Sequence, residues 1–434
     1  MLLIILPECR CEQEHGEELV LVQTVWNFGS HSPQYVLRDL EDIQWPNDYS
    51  ALSMKGVVQG INLGQLLQHR YVRDLGFLNM KHGQEVLIEA SERNLSQTMA
   101  QAVGAGLWSM NWEQWPQSWR PIPVRVLNGH NERLDARVSC PRAEEKIDSR
   151  IFQTRWFQDE NNINFLQTVL ISAKMDRFRS VMQLYEVYDA LNAMREEFGK
   201  WPVWMEEGRF RTMKSLLDAA FAIGYNDPTV GRLRAGLLIR DLVREMIERR
   251  DCAAFHDLDT CQQQKPIKFI GYSTDDITLH ALMSALGVAQ AEFPKASTAV
   301  VIELWRTKLR QFYVRMLVKN GHEERKFRMV LVNGCRDLSC AVDRFQRRMH
   351  SLIPGDWYQE CGGSKPQPSE NPSTLSKYCE HESDKSRDCK SWANFDYCEL
   401  DHGVRYIWCR ETCLCNPEYA KPEVLLRNNR QRQQ

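Results

Sequence analysis

The sequence predicts an α/β protein in which a sheet domain is interrupted by a helical insertion and followed by a small disulfide-rich unit. Three observations carry that reading. Apolar, β-branched runs alternate with helix-period segments on both sides of the chain's middle. The stretch from about Cys140 to Thr260 has long helical patterns without clear strands between them. Six cysteines crowd the segment from Cys379 to Cys415, the density of a disulfide framework.

Taken in order, residues 1–16 open with the apolar MLLIIL, which lacks a basic lead and is shorter than a usual signal-peptide core. They read as a signal-peptide-like remnant, with Cys9 and Cys11 lost from, or unpaired in, the mature chain. From Glu18, LVLVQTVW fits a buried strand that ends at the turn-rich NFGSHSP, and a strand feeding a loop is a common place for an active site. MKGVVQGINLGQLLQHRYV sets Val57, Ile61, Leu63, Leu67 and Tyr71 near helical spacing, and EVLIEAS followed by NLSQTMAQAVGAGLW repeats the strand-then-helix order. This alternation predicts a largely parallel sheet covered by helices.

INFLQTVLISAKMDRF and LRAGLLIRDLVREMIERR belong to the helical insertion, about 142–262. Strand pattern returns at IKFIGYSTDD, ITLHALMSALG reads as a helix and TAVVIELWR as a strand, and RQFYVRMLVKNG with FRMVLVNG reads as a hairpin. The first domain, 17–361, closes near Cys361. Residues 362–378 are rich in Gly, Ser and Pro and read as a linker, 379–415 form the cysteine unit, and 416–434 are a polar, basic tail.

Composition narrows the function. The 434 residues carry 55 Lys+Arg against 57 Asp+Glu, a net charge of -2, so the electrostatic footprint of nucleic-acid binding is missing. Hydrophobic content of 43% and charged content of 26% are those of a globular protein. No apolar run approaches bilayer length, so no transmembrane segment is expected. The 14 cysteines and their clustering argue for an oxidising compartment, hence a secreted, extracellular protein.

Six segments, in this order, resemble the histidine acid phosphatase family. VQTVWNFGSHSP is similar to the family's strand ending RHGxRxP, LSMKGVVQGINLGQLLQHRY to LTxxGxxQxxxLGxxLRxRY, and AQAVGAGLW to AQxxLAGLYP. WRPIPVRV is similar to WQPIPV, GYSTDDITLHALMSALG to YSxHDTTLxxLLxALG, and ASTAVVIELWR to the strand that follows it. The resemblance spans roughly Glu18 to Cys361. It implies a three-layer sheet domain of the histidine phosphatase (phosphoglycerate mutase-like) type with a helical cap. The implied activity is hydrolysis of phosphomonoesters through a phosphohistidine, with no cofactor and no metal.

That chemistry needs a histidine to attack phosphorus, arginines to neutralise the phosphoryl oxygens and an acid to protonate the leaving oxygen. By the resemblance, Asn27 stands at the first arginine and Phe28 at the nucleophilic histidine, while Gly29 and Pro33 are retained and His31 stands at the second arginine. Phenylalanine cannot attack phosphorus. A further pocket arginine falls on Leu95 when counted back from AGLW, with Arg93 two residues away. The family's His-Asp pair becomes Asp275 and Asp276, which leaves Asp276 at the acid position without its histidine partner.

The expected function is therefore that of a catalytically inactive, phosphatase-like binding scaffold. The alternative is an active acid phosphatase with His31 as a displaced nucleophile and Asp276 as acid, although a three-residue offset moves a side chain further than catalysis tolerates. A second reading of Asp275 and Asp276 is structural, with Asp276 capping the helix that begins ITLHALMSAL. Asn94-Leu95-Ser96 is a glycosylation sequon beside the former pocket.

The resemblance also implies a long-range Cys140–Cys361 bridge and a short Cys335–Cys340 bridge, which leaves Cys252 and Cys261 to pair locally. The last unit resembles the ShK-type toxin domain, in an arrangement similar to secreted nematode enzymes, which implies Cys379–Cys415, Cys389–Cys409 and Cys398–Cys413. Its final cysteines are C-x-C where that family has C-x2-C. Arg405 and Tyr406 lie where some members carry a channel-blocking Lys-Tyr pair, and the missing lysine favours tethering over channel blockade. An extracellular protein or a small ligand is the expected partner, and a homodimer is compatible with the sequence.

Overall fold

In the computed structural model, β1 (Glu18–Asn27) pairs in parallel with β4 (Phe269–Thr274) and antiparallel with β5 (Ala299–Arg306). The structure describes residues 16–362 apart from 36, 39, 41–42, 80–84, 109–120, 128–131, 176–179, 255–266 and 290–291, and beyond them Asp384, 389–394, Cys398, Cys409 and 411–415. With β2 (Val86–Ala90), β3 (Val124–Val126), β6 (Phe312–Lys319), β7 (Arg328–Val330) and β8 (Ser339–Ala341), the sheet runs β3-β2-β4-β1-β5-β6-β7, and β8 pairs with β6.

The expectation of a largely parallel sheet needs correction. The run from β3 to β1 is parallel, whereas β5, β6, β7 and β8 add antiparallel strands. Only a short turn separates β5 from β6, and a short connection can reverse a strand but cannot carry it back to run parallel.

Two apolar layers flank the sheet, which explains why β1 reads as an almost unbroken apolar run. Val22 and Trp26 face α1 (Met54–Gln68) and α2 (Asn94–Leu107), whereas Leu21 and Val25 face the helical insertion, following the two-residue period of a strand. α1 and α2 cross backbone against backbone. A Cβ at Gly64 would collide with the carbonyl of Val103, and one at Gly106 with that of Ile61.

α1 runs on into a π-helical turn, His69–Asp74, whose Arg70 and Tyr71 meet Glu303 in β5. Between β3 and β4 lie α3 (Pro141–Phe152), α4 (Arg155–Gln158), α5 (Glu160–Ser172), α6 (Val181–Phe198), α7 (Glu207–Tyr225) and α8 (Pro228–Ala254). After β4 come α9 (Asp276–Leu286), then α10 (Val342–His350) behind β8, and a single turn α11 (Trp357–Glu360). Cys140 is bonded to Cys361 and Cys335 to Cys340. Cys252 is also disulfide-bonded, while Cys261 lies outside the described residues.

The chain divides into units at Gly362 and Gly363. In the second unit, Cys389–Cys409 and Cys398–Cys413 bracket α12 (Cys389–Asn394) and a π-helical turn, Glu411–Cys415. The Asp384 carboxylate accepts hydrogen bonds from the Thr412 amide and hydroxyl. The Cys379–Cys415 pairing, Arg405, Tyr406 and the segments 1–15, 363–378 and 416–434 lie outside the described residues. Among the described residues no helix is long and apolar enough to cross a membrane.

Candidate functional site

β1 delivers the loop Phe28–Pro33 to the end of the sheet, beside the N-terminus of α1. Gly29 is required by close approach, because a Cβ there would sit 2.7 Å from Gly56 and 2.8 Å from Oε1 of Gln59. Gln59 clamps the next residue, accepting from the Ser30 amide at 2.8 Å and donating to its hydroxyl at 3.1 Å. Ser53, the N-cap of α1, donates its hydroxyl to the Ser30 carbonyl at 2.9 Å.

Each altered position in this loop has its partners. Asn27 donates to the Lys295 carbonyl at 3.1 Å and accepts from the Thr298 amide at 2.7 Å. Phe28 is 2% exposed, packs into the apolar layer under α1 and α2, and meets the His31 ring edge-on with centroids 4.7 Å apart. His31 Nδ1 lies 2.9 Å from the Gly29 carbonyl and Nε2 lies 2.9 Å from Oδ1 of Asp189. Both neighbours are acceptors, so only the doubly protonated ring satisfies both contacts. Burial opposes that charge most strongly, but the Asp189 carboxylate, the Gly29 carbonyl and Asp276 together outweigh it and raise the His31 pKa above its ordinary value. An imidazolium has no lone pair with which to attack phosphorus.

α6 supplies Tyr185 and Asp189, four residues apart and therefore on one face. The Tyr185 hydroxyl lies 2.9 Å from each carboxyl oxygen of Asp276. Asp276 is 8% exposed, and burial together with the neighbouring Asp275 charge pushes its pKa up to about 7, so it carries a proton in acid. The capping reading is corrected here. Asp275 accepts from the Thr278 amide at 2.7 Å as N-cap, while Asp276, the first helical residue, accepts from the Ile277 amide at 3.0 Å as well as from Tyr185.

The positions considered for a further pocket arginine are also resolved. Leu95 is 1% exposed inside the core beneath α2, because the second residue of that helix faces the sheet. Arg93, just before α2, pairs with Asp135 at 2.9 Å. Asn94 opens α2 with its residue exposed.

Gln34 and Arg137 escape sequence reasoning, since both lie in loops without periodicity. Gln34 joins the site together, with its amide 2.8 Å from Asp189 Oδ2 and its Nε2 2.9 Å from the Tyr185 hydroxyl. Arg137 donates to Gln34 Oε1 at 2.7 Å and to Asp275 Oδ2 at 3.0 Å. Asp189 left a faint signal, as a carboxylate on the apolar side of VMQLYEVYDAL.

Phe28, His31, Asp189 and Asp276 are among the residues that line a cavity of about 240 Å³. Cations reach it from Arg195, Lys214 and Lys295, each with an acidic neighbour: Glu196 at 3.3 Å, Asp218 at 2.6 Å and Glu292 at 3.3 Å. A phosphate dianion entering here would compete with a carboxylate for every one of these three. Among the described residues no group of three or more His, Cys, Asp or Glu is placed to hold a metal ion.

The family model described as "Histidine phosphatase superfamily (branch 2)" matches residues 21–319. "Putative acid phosphatase 5" of Caenorhabditis elegans is 26% identical over 359 residues, 81% of this chain and 81% of that protein. Human "Lysosomal acid phosphatase" is 28% identical over 372 residues, 83% of this chain and 82% of that protein. Among solved structures, Hafnia alvei phytase in complex with myo-inositol hexakis sulphate superposes with a TM-score of 0.60 at 14% identity, covering 81% of this chain and 100% of the phytase. The phytase from Citrobacter braakii gives 0.58 at 14% identity, with 79% and 99% covered. At such identity the phytases speak to the fold alone.

Proposed function

Because this chain belongs to branch 2 of the histidine phosphatase superfamily, we propose that it is a secreted acid phosphatase-like protein whose site binds a ligand without turning over phosphomonoesters. One observation carries the reading: the loop that by its resemblance should bear the nucleophile holds a buried Phe28, and the nearby His31 has both ring nitrogens directed at acceptors. The cavity then offers an aromatic lining, a protonated carboxyl and paired charges, which suits a neutral small ligand better than a dianion. The disulfides support an oxidising, extracellular setting, and the C-terminal cysteine unit is read as a tether to an extracellular partner.

Hydrolysis of an aryl phosphate by purified, oxidised protein between about pH 4 and 7 tests this, with Asn27→Arg/Phe28→His as the positive comparison. The expected result is no turnover above buffer by the unaltered protein. Turnover that disappears in His31→Ala would overturn the proposal and make His31 a nucleophile after all.

A further inference from the structure

Between Arg325 and His350 the chain carries seven Lys and Arg against two Asp, in a protein of net charge -2. The fold gathers this segment into one place. β7 and β8 pair with successive halves of the same edge of β6, the Cys335–Cys340 bridge closes the loop that bears Arg336, and α10 follows β8 directly. Arg336 and Arg347 are exposed, and Arg344 and Arg348 are half-buried.

None of these four arginines forms an ion pair with a described residue. Two of the acidic groups nearby are engaged elsewhere, Asp343 with Arg250 at 3.3 Å and Glu324 with Arg328 at 3.8 Å, while Asp337, next to Arg336, is exposed and forms no ion pair with a described residue. Arg211 and Arg232 elsewhere on the surface are matched, by Glu207 at 3.3 Å and Glu360 at 2.6 Å, whereas single arginines such as Arg155 and Arg310 stand without an ion pair among the described residues but are not clustered. The stem of Arg348 packs on the turn before the bridged loop, where a Cβ at Gly334 would come 2.9 Å from its Cδ, and its Nε is buried without an acceptor. On the outer side of α10, Arg347 and His350 border an open groove of about 350 Å³.

From this we infer that the α10 face, with the disulfide-bridged loop beside it, binds an extended sulfated polysaccharide. Four clustered arginines without an ion pair among the described residues favour forked, bidentate contact with tetrahedral oxyanions over diffuse attraction. The i, i+3 and i, i+4 spacing of Arg344, Arg347 and Arg348 sets successive charges roughly 5 Å apart along one helix face, a ladder that a polymer with repeated anions can follow. A chain of net negative charge has no general affinity for polyanions, so the attraction is local.

The full-length protein is applied to immobilised heparin and, in parallel, to a sulfonate exchanger. The unaltered chain should need clearly more salt to leave heparin than to leave the exchanger. Arg344→Glu/Arg347→Glu should lose that excess, and the charge-matched control Arg155→Glu/Arg211→Glu, on α4 and α7, should keep it. In solution, Arg344→Gln/Arg347→Gln should weaken heparin binding roughly tenfold or more near 0.15 M salt and reduce the salt slope by about two. Protection of Arg336, Arg344 and Arg347 from phenylglyoxal by heparin gives a readout on the unaltered protein, should the charge reversals unfold.

Equal elution from both columns would overturn the inference. So would retention that the control lowers as far, or that the α10 variants leave unchanged, which would place binding on Arg427, Arg430 and Arg432. Capture by vesicles containing phosphatidylserine without capture by heparin would show a membrane surface instead, and would equally sink it.

Discussion

Asp276 and His280 stand one turn apart on α9, and both are buried. Their titrations are displaced in opposite senses. Burial and the Asp275 charge lift Asp276 from 3.8 to about 7, whereas burial among Phe221, Tyr225 and Phe293 lowers His280 from 6.5 to about 4. At about 1.4 kcal/mol per pH unit these displacements correspond to roughly 4 and roughly 3 kcal/mol of pH-dependent stability. Between about pH 4 and 6.5 the folded chain keeps a proton on Asp276 that the unfolded chain has released, and the unfolded chain carries one on His280 that the folded chain lacks. The two slopes cancel, so their joint contribution is flat across that window. Removing either group unmasks the other. In Asp276→Asn, His280 remains, and stability relative to the unaltered protein rises with pH by about 1.4 kcal/mol per unit up to about pH 7, where the folded Asp276 would itself ionise. In His280→Phe, Asp276 remains, and relative stability falls by the same amount per unit until about pH 6.5, where the unfolded histidine loses its proton. Urea unfolding with disulfides intact, followed by tryptophan fluorescence from about pH 4.5 to 6.5, reads both as differences in which other titrating groups drop out. An Asp276→Asn profile parallel to that of the unaltered protein would refute the reasoning, since Asp276 would then be ionised in the folded chain. A parallel His280→Phe profile would do so for His280.

Glu303 is fully buried and accepts from Arg70 at 2.7 and 3.0 Å, the Tyr71 hydroxyl at 2.6 Å and the Trp305 indole at 3.0 Å. Glu303→Ala strands all three donors and should cost about 3–5 kcal/mol in urea unfolding, with Glu303→Gln costing less. Cys140–Cys361 spans 221 residues and Cys335–Cys340 spans 5, so the chain-entropy account assigns them about 5 and about 2 kcal/mol. Cys140→Ser/Cys361→Ser should therefore lower the urea midpoint clearly more than Cys335→Ser/Cys340→Ser, and equal losses would show that loop length does not set the effect. At the site, the unaltered protein should leave an aryl phosphate intact, and on the surface Arg344→Glu/Arg347→Glu should abolish the excess retention on heparin.

Elements with strong apolar patterning were readable from the sequence, among them β1, α1, α2, β4, α9 and the pairing of β6 with β7, because α1 buries one face at helical spacing while β1, β4 and α9 are buried on nearly every side. The direction of β5 was not readable. Apolar alternation marks a strand but not its partner, and parallel and antiparallel neighbours bury the same side chains. At the site, the loop Asn27–Pro33 and the pair Asp275–Asp276 were legible because they are contiguous. Tyr185 and Asp189 arrive from a helix more than 150 residues along the chain, and Gln34 and Arg137 from irregular loops, so their meeting is tertiary information. Leu95, reached by counting back from AGLW, lies in the core beneath α2.

What the structure adds to the substitutions is that none leaves a polar orphan. Asn27 replaces a charge with a side chain whose two ends match the Lys295 carbonyl and the Thr298 amide. Phe28 replaces a polar ring with one that closes the apolar layer beneath it, and His31 keeps a positive charge and matches it to Asp189. A buried donor or acceptor without a partner costs about 1–3 kcal/mol, so several such losses together would approach the whole margin by which a domain stays folded. A site that had merely lost its chemistry would accumulate such costs. The groups at these positions hold one another, with Gln34 and Arg137 completing the connections. The double substitution Asn27→Arg/Phe28→His therefore sets the old chemistry against the present packing: the guanidinium would displace the Asn27 contacts, and an imidazole would bring a polar ring into the layer that Phe28 seals.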